Sequence, residues 1–354
     1  MSVRPEVDAV VIGGGAMGSS TAWWLARRGR SVVLAEQFAA GHVRGSSHGE
    51  VRIFRFAYPD VRYVRMAQEA LPLWRELEDD AQLSLLEQSG CVDHGPQDAL
   101  GPIAAALVEA DAPHQLLTAA AATDRWPQFH FETPVLLHAD GGRVFADRTL
   151  AALQSRAAAL GADVRFDSPA SLVATHEDAV EVDVAGDVIR ARRVVVTAGA
   201  WVDRTVAPAT IRPELPPLTI TQETVTHFPA VDAATRWPSF IHHDAGLRYG
   251  LPSLTEGIKV GGHHEGDVTD ADHRTFRTDQ LQVQQLVEYV GRWLPGLLPD
   301  PQFGATCLYT TTPDESFVVT RRGPVVVGSA CSGHGFKFTP LIGRMLADLV
   351  DEDR

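Results

Sequence analysis

The chain has 354 residues, of which 45% are apolar and 21% charged, a composition that is typical of a folded globular protein and excludes a disordered one. Its 45 acidic residues outnumber its 31 basic residues, so the formal net charge is −14 and we expect no nucleic-acid or membrane-surface partner. No run approaches the roughly 20 apolar residues of a membrane helix, and no signal peptide is visible before the first strand. The three cysteines form no disulfide framework, which favours a cytoplasmic protein.

The first predicted elements form one unit. Residues 8–12 are a short apolar strand, residues 17–28 a helix, and residues 31–35 a second strand that ends at Glu36. A glycine turn joins the first strand to the helix. Strand, turn, helix and strand within about thirty residues predict a βαβ unit with parallel strands.

The later elements are typical of a nucleotide-binding domain with insertions. The sequence predicts a loop over 41–55 and helices over 63–78 (kinked at Pro72), 147–160 and 278–293, with a further helix at the C-terminus. It predicts strands over 171–174, 180–184, 188–191, 194–197, 317–320 and 324–328. A proline-rich crossover over 208–217 leads into a strand-rich region over 218–262. We therefore expect an α/β fold with a Rossmann-like dinucleotide-binding domain and a second, mixed-sheet substrate domain. The first would comprise residues 1–85, 141–213 and 306–354, and the second residues 86–140 and 214–305.

Three glycines in the first turn carry the clearest chemical signal. Gly13, Gly15 and Gly18 match the spacing G-x-G-x-x-G, directly after a strand and at the start of a helix. The first two permit a sharp turn and the approach of a pyrophosphate, the third permits close helix–strand packing, and the helix N-terminus offers free N–H groups. Glu36 is placed to accept hydrogen bonds from a ribose. The pattern predicts a dinucleotide, FAD or NAD, and does not decide between them.

Several further segments belong to one recognisable pattern. They are SSHGEVRIFR over 46–55, GAW over 199–201, YGLP over 249–252, GATCLYT over 304–310 and SGHGFKF over 332–338. In these segments the chain resembles the monomeric sarcosine oxidase family of flavoenzymes, which includes N-methyltryptophan oxidase and pipecolate oxidase. The resemblance covers nearly the whole chain in the same order, and it implies FAD as the cofactor.

The resemblance also implies which residues hold FAD. Cys307 matches the cysteine that binds the flavin covalently through a thioether, whereas Cys91 and Cys331 match no linkage and are interpreted as core or incidental residues. The residues expected to contact the cofactor are Gly13, Gly15, Ala16, Met17, Gly18, Glu36, Ser46, Gly49, Ala170, Gly199, Trp201, Cys307, Gly333, Gly335 and Lys337.

The same resemblance assigns residues to the substrate and to the chemistry. Arg55 and Lys337 match the pair that binds the substrate carboxylate, and Tyr249 matches a residue of the pocket around the amine. The catalytic set that the resemblance implies is Lys259, Arg52, His48, Tyr309 and His263. Either His263 or the adjacent His264 could face the pocket.

Three features depart from the family pattern. Ser47 stands where relatives often carry a second histidine, and the segment 240–246 looks slightly shorter than the family's pocket-lining loop and differs in composition. The chain also ends at Arg354 without the tail that many members carry. The first two departures leave the substrate open, and the third bears on packing at the C-terminus.

The implied function is that of an FAD-dependent oxidase of a small secondary (N-methyl) amino acid such as sarcosine. Hydride transfer to flavin N5, hydrolysis of the imine to an aldehyde and a primary amine, and reoxidation by O2 to H2O2 would complete the reaction. N-methyltryptophan, a pipecolate-like cyclic imino acid and an amine of specialised metabolism are alternative substrates. A carrier-linked flavin dehydrogenase with little O2 reactivity and a silent flavin-binding module are alternatives from other classes. The expected partners are the amino acid and O2, and we expect a monomer.

Overall fold

A computed structural model describes residues 6–244 and 246–352. Residues 1–5, Ala245, Asp353 and the terminal Arg354 lie outside the described residues. The strands are β1 (Val7–Ile12), β2 (Val32–Ala35), β3 (Val51–Phe54), β4 (Leu86–Glu87), β5 (Cys91–His94), β6 (Gln115–Leu117), β7 (Val135–His138), β8 (Gly142–Phe145), β9 (Asp163–Arg165), β10 (Ala170–Thr175), β11 (Val180–Val184), β12 (Asp187–Val196), β13 (Thr219–Phe228), β14 (Ser239–Asp244), β15 (Gly246–Pro252), β16 (Ile258–Gly262), β17 (Asp267–Val268), β18 (Phe303–Thr311), β19 (Val318–Arg322) and β20 (Val325–Ser329). The helices are α1 (Ala16–Arg27), α2 (Val61–Ala81), α3 (Gln97–Glu109), α4 (Ala119–Arg125), α5 (Ala146–Ala159), α6 (Val202–Val206), α7 (Gln280–Trp293) and α8 (Thr339–Asp351).

The first sheet contains the predicted βαβ unit. β1 lies between β2 and β12 and is parallel to both, in the order β10-β11-β12-β1-β2-β9. β20 adds to β12 in parallel, and β19 pairs with β20 in antiparallel fashion. β1, β2 and the last three residues of β12 (194–196) are almost wholly apolar because they are buried on both faces of the sheet. Gly13 and Glu36 therefore follow β1 and β2 at the carboxyl edge, where ligands of parallel sheets bind.

Both faces of the first sheet are covered. On one face α1 contacts α5 and α8, and the buried Trp24 of α1 donates its indole N–H to the Pro340 carbonyl at 2.8 Å. On the other face Val202 and Val206 of α6 join Val10 in an apolar cluster. These two layers fix the glycine turn between β1 and α1.

The second sheet is assembled from later parts of the chain. Its order is β17-β13-β16-β15-β14-β5-β7-β6, with β18 antiparallel beside β13. Phe129, Phe240 and Trp293 belong to the apolar cluster between this sheet and α7. A small third sheet, β3-β8-β4, contacts the second sheet through β3 and β15.

The α/β class and the parallel βαβ unit are confirmed, but two local predictions are wrong. The loop predicted over 41–55 contains β3, because Val51–Phe54 pairs with the distant β8. The strands predicted over 188–191 and 194–197 are one strand, β12, since pairing continues through Arg193, which lies opposite Ala9. Helix α2 continues through Pro72.

The partition into two domains stays a prediction. The first sheet takes its strands from residues 7–35, 163–196 and 318–329, and the second from residues 91–138 and 219–311. The predicted border between residues 305 and 306 falls within β18, which pairs with β13 along its whole length. Among the described residues, no helix combines the length and the apolarity that crossing a membrane requires.

Candidate active site

A cavity of about 510 Å³ is lined by residues of all three sheets. The carboxyl ends of β1, β2 and β20 form one side of it, and β15, β16 and β18 of the second sheet contribute the other. β3 of the small sheet adds residues between them. The cavity therefore lies where the carboxyl edge of the parallel sheet meets the antiparallel sheet, a usual position for a cofactor and its substrate.

The glycine turn forms one end of the cavity. Gly13 has φ +100°, and a Cβ there would lie 2.6 Å from the Thr197 carbonyl oxygen. A Cβ on Gly18 would lie 1.9 Å from the Gly13 oxygen, so this glycine lets α1 approach β1. The first turn of α1, with Ala16 and Met17 at the cavity wall, contains no acidic residue. The free N–H groups and the positive end of the helix dipole favour a bound anion here.

Glu36 is fixed beside this turn. The residue is 6% exposed, one carboxylate oxygen accepts the Gly14 N–H at 2.7 Å, and the other accepts the Phe38 N–H at 3.0 Å. The Trp201 ring packs edge-on against Phe38, with the ring centroids 5.6 Å apart. The carboxylate predicted to meet a ribose is thus held at the cavity wall by main-chain donors.

The loop of residues 46–49 contributes Ser46, Ser47 and His48 to the cavity wall. Ser46 donates its hydroxyl to the Leu308 carbonyl at 2.5 Å, and Ser47 accepts the Ala16 N–H at 3.0 Å. Arg52 donates to the Ser46 carbonyl at 2.9 Å and to the His48 carbonyl, which fixes the loop. Burial and the Arg52 charge lower the pKa of His48 to about 3, so this imidazole is neutral at physiological pH.

Lys259 of β16 and Cys307 of β18 face the cavity close to Arg52. Burial, and after it the Arg52 charge, lowers the pKa of Lys259 to about 7. Burial raises the pKa of the Cys307 thiol, while the cations Arg52 and Lys259 oppose that rise. The chain contains only two lysines, and both line this cavity. Because a buried ammonium is costly, placing both lysines here indicates a site for negative charge.

The second lysine, Lys337, forms a two-cation site with Arg55. Lys337 Nζ donates to the Tyr58 hydroxyl at 2.8 Å and to the His334 carbonyl at 2.7 Å, and Arg55 Cζ lies 4.3 Å from the Tyr58 ring centre. Burial, and after it the Arg55 charge, lowers the pKa of Lys337 well below its ordinary value. Within the described residues Lys337 has no carboxylate partner within 4 Å, so an anionic ligand would supply the missing counter-charge.

Aromatic side chains and a histidine complete this end. Tyr249 of β15 and Tyr309 of β18 line the cavity, and the His263 ring lies 5.6 Å from the Tyr309 ring. A Cβ on Gly333 would lie 2.4 Å from the Tyr309 ring and 2.6 Å from His263, so a residue with a side chain would not fit at this position.

Burial, with smaller effects from His264 and the two cations Arg55 and Lys337, lowers the pKa of His263 to about 3. His263 lines the cavity, whereas His264 points towards Glu315, 3.7 Å away.

Comparison with known proteins places this geometry in a family. Residues 8–349 match the family model described as DAO, FAD dependent oxidoreductase. Peroxisomal sarcosine oxidase from Homo sapiens is 35% identical over 362 residues, which cover 97% of this chain and 91% of that protein. The chain belongs to the FAD-dependent oxidoreductase family.

Two further relatives extend the comparison of this flavoprotein. Monomeric sarcosine oxidase from Bacillus sp. (strain NS-129) is 30% identical over 362 residues, covering 97% of this chain and 92% of that protein. The solved structure of NikD, described as an unusual amino acid oxidase essential for nikkomycin biosynthesis, is 28% identical with a TM-score of 0.87, covering 98% of this chain and 94% of that one.

The residues present fit FAD. The glycine turn offers a backbone cradle for the pyrophosphate, and Glu36 suits a ribose at the same end. His48 Nε2 is buried and has no hydrogen-bond partner among the described residues, so a polar ligand atom could satisfy it. The cavity then continues to Arg52, Lys259 and Cys307, where the redox-active part of the cofactor would lie.

The structure brings most of the predicted residues together in this cavity. All the residues predicted for catalysis and substrate binding line the cavity, as do the predicted cofactor residues except Gly18 and Gly49. Gly18 acts through helix packing, and Gly49 donates its N–H to Asp147 at 2.8 Å and so shapes the loop. The spacing of Gly18 and Gly49 in the motifs does not show whether each glycine lines the cavity or only shapes the backbone beside it.

Some residues of the cavity were not predicted from the sequence. Cys331, interpreted as core or incidental, lines the cavity, whereas Cys91 is fully buried away from it. Tyr58 joins the two cations, and its position three residues after Arg55 was the only available signal. In the divergent segment 240–246, Ile241 lines the cavity.

Proposed function

We propose that this flavoenzyme oxidises a small secondary amino acid, with an N-methyl amino acid such as sarcosine as the leading substrate and O2 as the electron acceptor. The observation that carries the proposal is the two-cation site of Arg55 and Lys337 in the same cavity as Lys259 and Tyr309. The two sarcosine oxidase relatives, which align over nearly the full chain, support the same substrate class.

The side chains of the cavity would bind and orient the amino acid. Arg55 offers a planar fork and Lys337 a point charge to the carboxylate. The same cations, together with the neutral His263, disfavour a protonated amine beside them, and only the neutral amine has the lone pair that oxidation to an imine requires. The glycine turn and Glu36 would hold FAD, and the bound cofactor would supply the hydride acceptor and the route for electrons to O2. The protein supplies position, charge and exclusion of water.

We also propose that Cys307 holds the flavin covalently through a thioether. Cys307 faces the cavity, and although burial raises the pKa of its thiol, the charges of Arg52 and Lys259 offset part of that rise and would stabilise a thiolate once it forms. After precipitation with acid, the wild-type protein should stay yellow and the Cys307→Ala protein should release its flavin. Cys331→Ala, which changes another cysteine of the cavity wall, is the matched control and should stay yellow. Complete release of flavin from the wild type would refute the linkage.

The titration of Lys259 predicts how the reaction with O2 depends on pH. Lys259 is charged below its pKa of about 7, a value lowered by burial and then by Arg52. If its ammonium assists O2, the rate of reoxidation should fall as the pH rises from 6 to 9, with a midpoint near 7. Stopped-flow mixing of the reduced enzyme with aerated buffer measures that rate. The Lys259→Met enzyme should show a flat profile, and the same midpoint in that variant would assign the titration to another group.

A substrate panel assayed for peroxide tests the proposed function. Sarcosine should give H2O2 in air. Higher activity with N-methyltryptophan or pipecolate than with sarcosine would indicate a pocket for a larger substrate. Turnover with a dye but without peroxide would favour the carrier-linked dehydrogenase. No turnover with any member would favour a silent flavin-binding module. The two cavity lysines argue against both of those outcomes.

We further propose that the enzyme works as a monomer in the cytoplasm. Its strongly negative net charge keeps copies apart, and the three cysteines are unpaired thiols, as a reducing compartment maintains them. Sedimentation of the purified holoenzyme checks the first part of this proposal.

A further inference from the structure

Asp93, next to Arg55 of the two-cation site, is a buried carboxylate that has no role in the mechanism proposed above. Asp93 of β5 is fully buried and does not line the cavity. His243 of β14 places Nε2 at 2.9 Å from one carboxylate oxygen, and His138 of β7 places Nε2 at 3.4 Å from the other. β5 lies between these two strands, so three adjacent strands converge on one carboxylate.

The third neighbour of Asp93 is a residue of the two-cation site. Arg55 Nη1 lies 3.6 Å from the Asp93 carboxylate, and the same nitrogen donates to the Ala57 carbonyl. The guanidinium carbon also lies 4.3 Å from the centre of the Tyr58 ring. Arg55 thus contacts both Asp93 and Tyr58 while it also lines the cavity.

The charges around Arg55 give Asp93 a specific role. The partly exposed Arg55 and the buried Lys337 are cations that repel each other. Within the described residues, Asp93 is the acidic group that lies within 4 Å of one of them, Arg55. Burial would raise the pKa of Asp93, but the nearby His138, the hydrogen bond from His243 and the charge of Arg55 together lower it well below its ordinary value. A permanent negative charge therefore lies behind Arg55, on the side away from the cavity.

A metal site is the competing interpretation of this cluster. Cys91, Asp93 and His138 offer ligand atoms within 4.8 Å of one another. A divalent cation there would face the fixed positive charge of Arg55, which already contacts the same carboxylate. Like charges at such distances are strongly unfavourable in a buried site, so the geometry favours Arg55 as the cation of this cluster.

We propose that Asp93, held by His138 and His243, is a positioning residue that anchors the Arg55 guanidinium for recognition of the substrate carboxylate. This inference rests on the proposed function, because it assumes that Arg55 binds that carboxylate. Asp93 itself touches neither substrate nor cofactor and acts through Arg55.

A double-mutant cycle tests the inference without turnover. The probe is methoxyacetate, a non-reactive analogue of sarcosine, and its Kd is read from the flavin absorbance of the holoenzyme. Asp93→Asn should raise the Kd about tenfold in the wild-type background and less than twofold in the Arg55→Met background, because residues that act through one another are non-additive. With sarcosine, Asp93→Asn should raise KM similarly and leave kcat within about threefold.

Controls separate positioning from a purely structural role. His94→Gln changes a buried side chain of the same strand, β5, that does not contact Arg55, and it should leave the Kd unchanged. If Asp93→Asn does not yield a folded holoenzyme, His243→Asn removes one of the two supports and should raise the Kd about threefold, again only when Arg55 is present.

Two results would overturn the inference, and they differ in meaning. Equal fold-changes with and without Arg55, or none in the wild-type background, would show that Asp93 does not act through Arg55 even if the substrate site is correct. A wild-type enzyme that binds methoxyacetate no better than Arg55→Met would instead show that the carboxylate site itself is wrong, which would also count against the proposed function.

Discussion

Replacing Lys259 with methionine is expected to slow reoxidation by O2 by up to about a thousandfold, while anaerobic reduction by the amine changes only modestly. The first electron that reaches O2 creates a negative charge, and a buried ammonium stabilises that charge without affecting neutral O2. At about 4 Å and an effective dielectric constant near 20, two unit charges attract by roughly 4 kcal/mol, which sets the upper limit of the effect. The neutral amine gains much less from the same cation.

Stopped-flow measurement of the two half-reactions separates these effects. The experiment is best run at pH 6, where Lys259, with its pKa of about 7, is charged in the wild type. Lys337→Met, which changes the other lysine of the chain, is the matched control and should weaken substrate binding but leave reoxidation unchanged. Unchanged reoxidation in Lys259→Met would transfer the role to another cation, with Arg52 the next candidate.

Removing either cation of the substrate site is expected to weaken binding of the amino acid by about one to two orders of magnitude. Charge-assisted hydrogen bonds contribute roughly 1.5–3 kcal/mol each, and this range corresponds to that loss. Arg55→Ala and Lys337→Ala should therefore raise KM for sarcosine more than they lower kcat. Steady-state peroxide assays over a range of sarcosine concentrations provide both constants.

A substrate without a carboxylate tests the same site from the ligand side. N-methyl amines that lack the group should be poor substrates of the wild type, and the Arg55→Ala and Lys337→Ala enzymes should discriminate less against them. Equal activity of the wild type towards sarcosine and a carboxylate-free amine would remove the basis for the two-cation site.

The nucleotide end of the molecule could be predicted from the sequence because its signals are local. Gly13, Gly15 and Gly18 lie within six residues, after an apolar strand, and the structure places the first two in the turn between β1 and α1 and the third in the first turn of α1. Glu36 could be predicted in the same way, because it directly follows the apolar strand β2. The resemblance then supplied the distant members of the site, which no local pattern connects.

The parts that could not be predicted depend on contacts between distant segments. β3 appeared to be loop because its partner, β8, lies about ninety residues further along the chain. Asp93 gave no signal of its own, since only the fold brings His138, His243 and Arg55 around its carboxylate. Cys331 could not be placed at the cavity wall because a lone cysteine in an apolar segment is usually a core residue.

The stoichiometry of the products from sarcosine in air tests the central claim most directly. An oxidase of N-methyl amino acids should form one H2O2 and one formaldehyde for each sarcosine consumed, with glycine as the remaining product. Peroxide is measured with a peroxidase-coupled dye in the same sample as formaldehyde. Sarcosine consumption that requires an added electron acceptor and yields formaldehyde without H2O2 would contradict an oxidase, and no consumption of sarcosine under either condition would contradict the substrate.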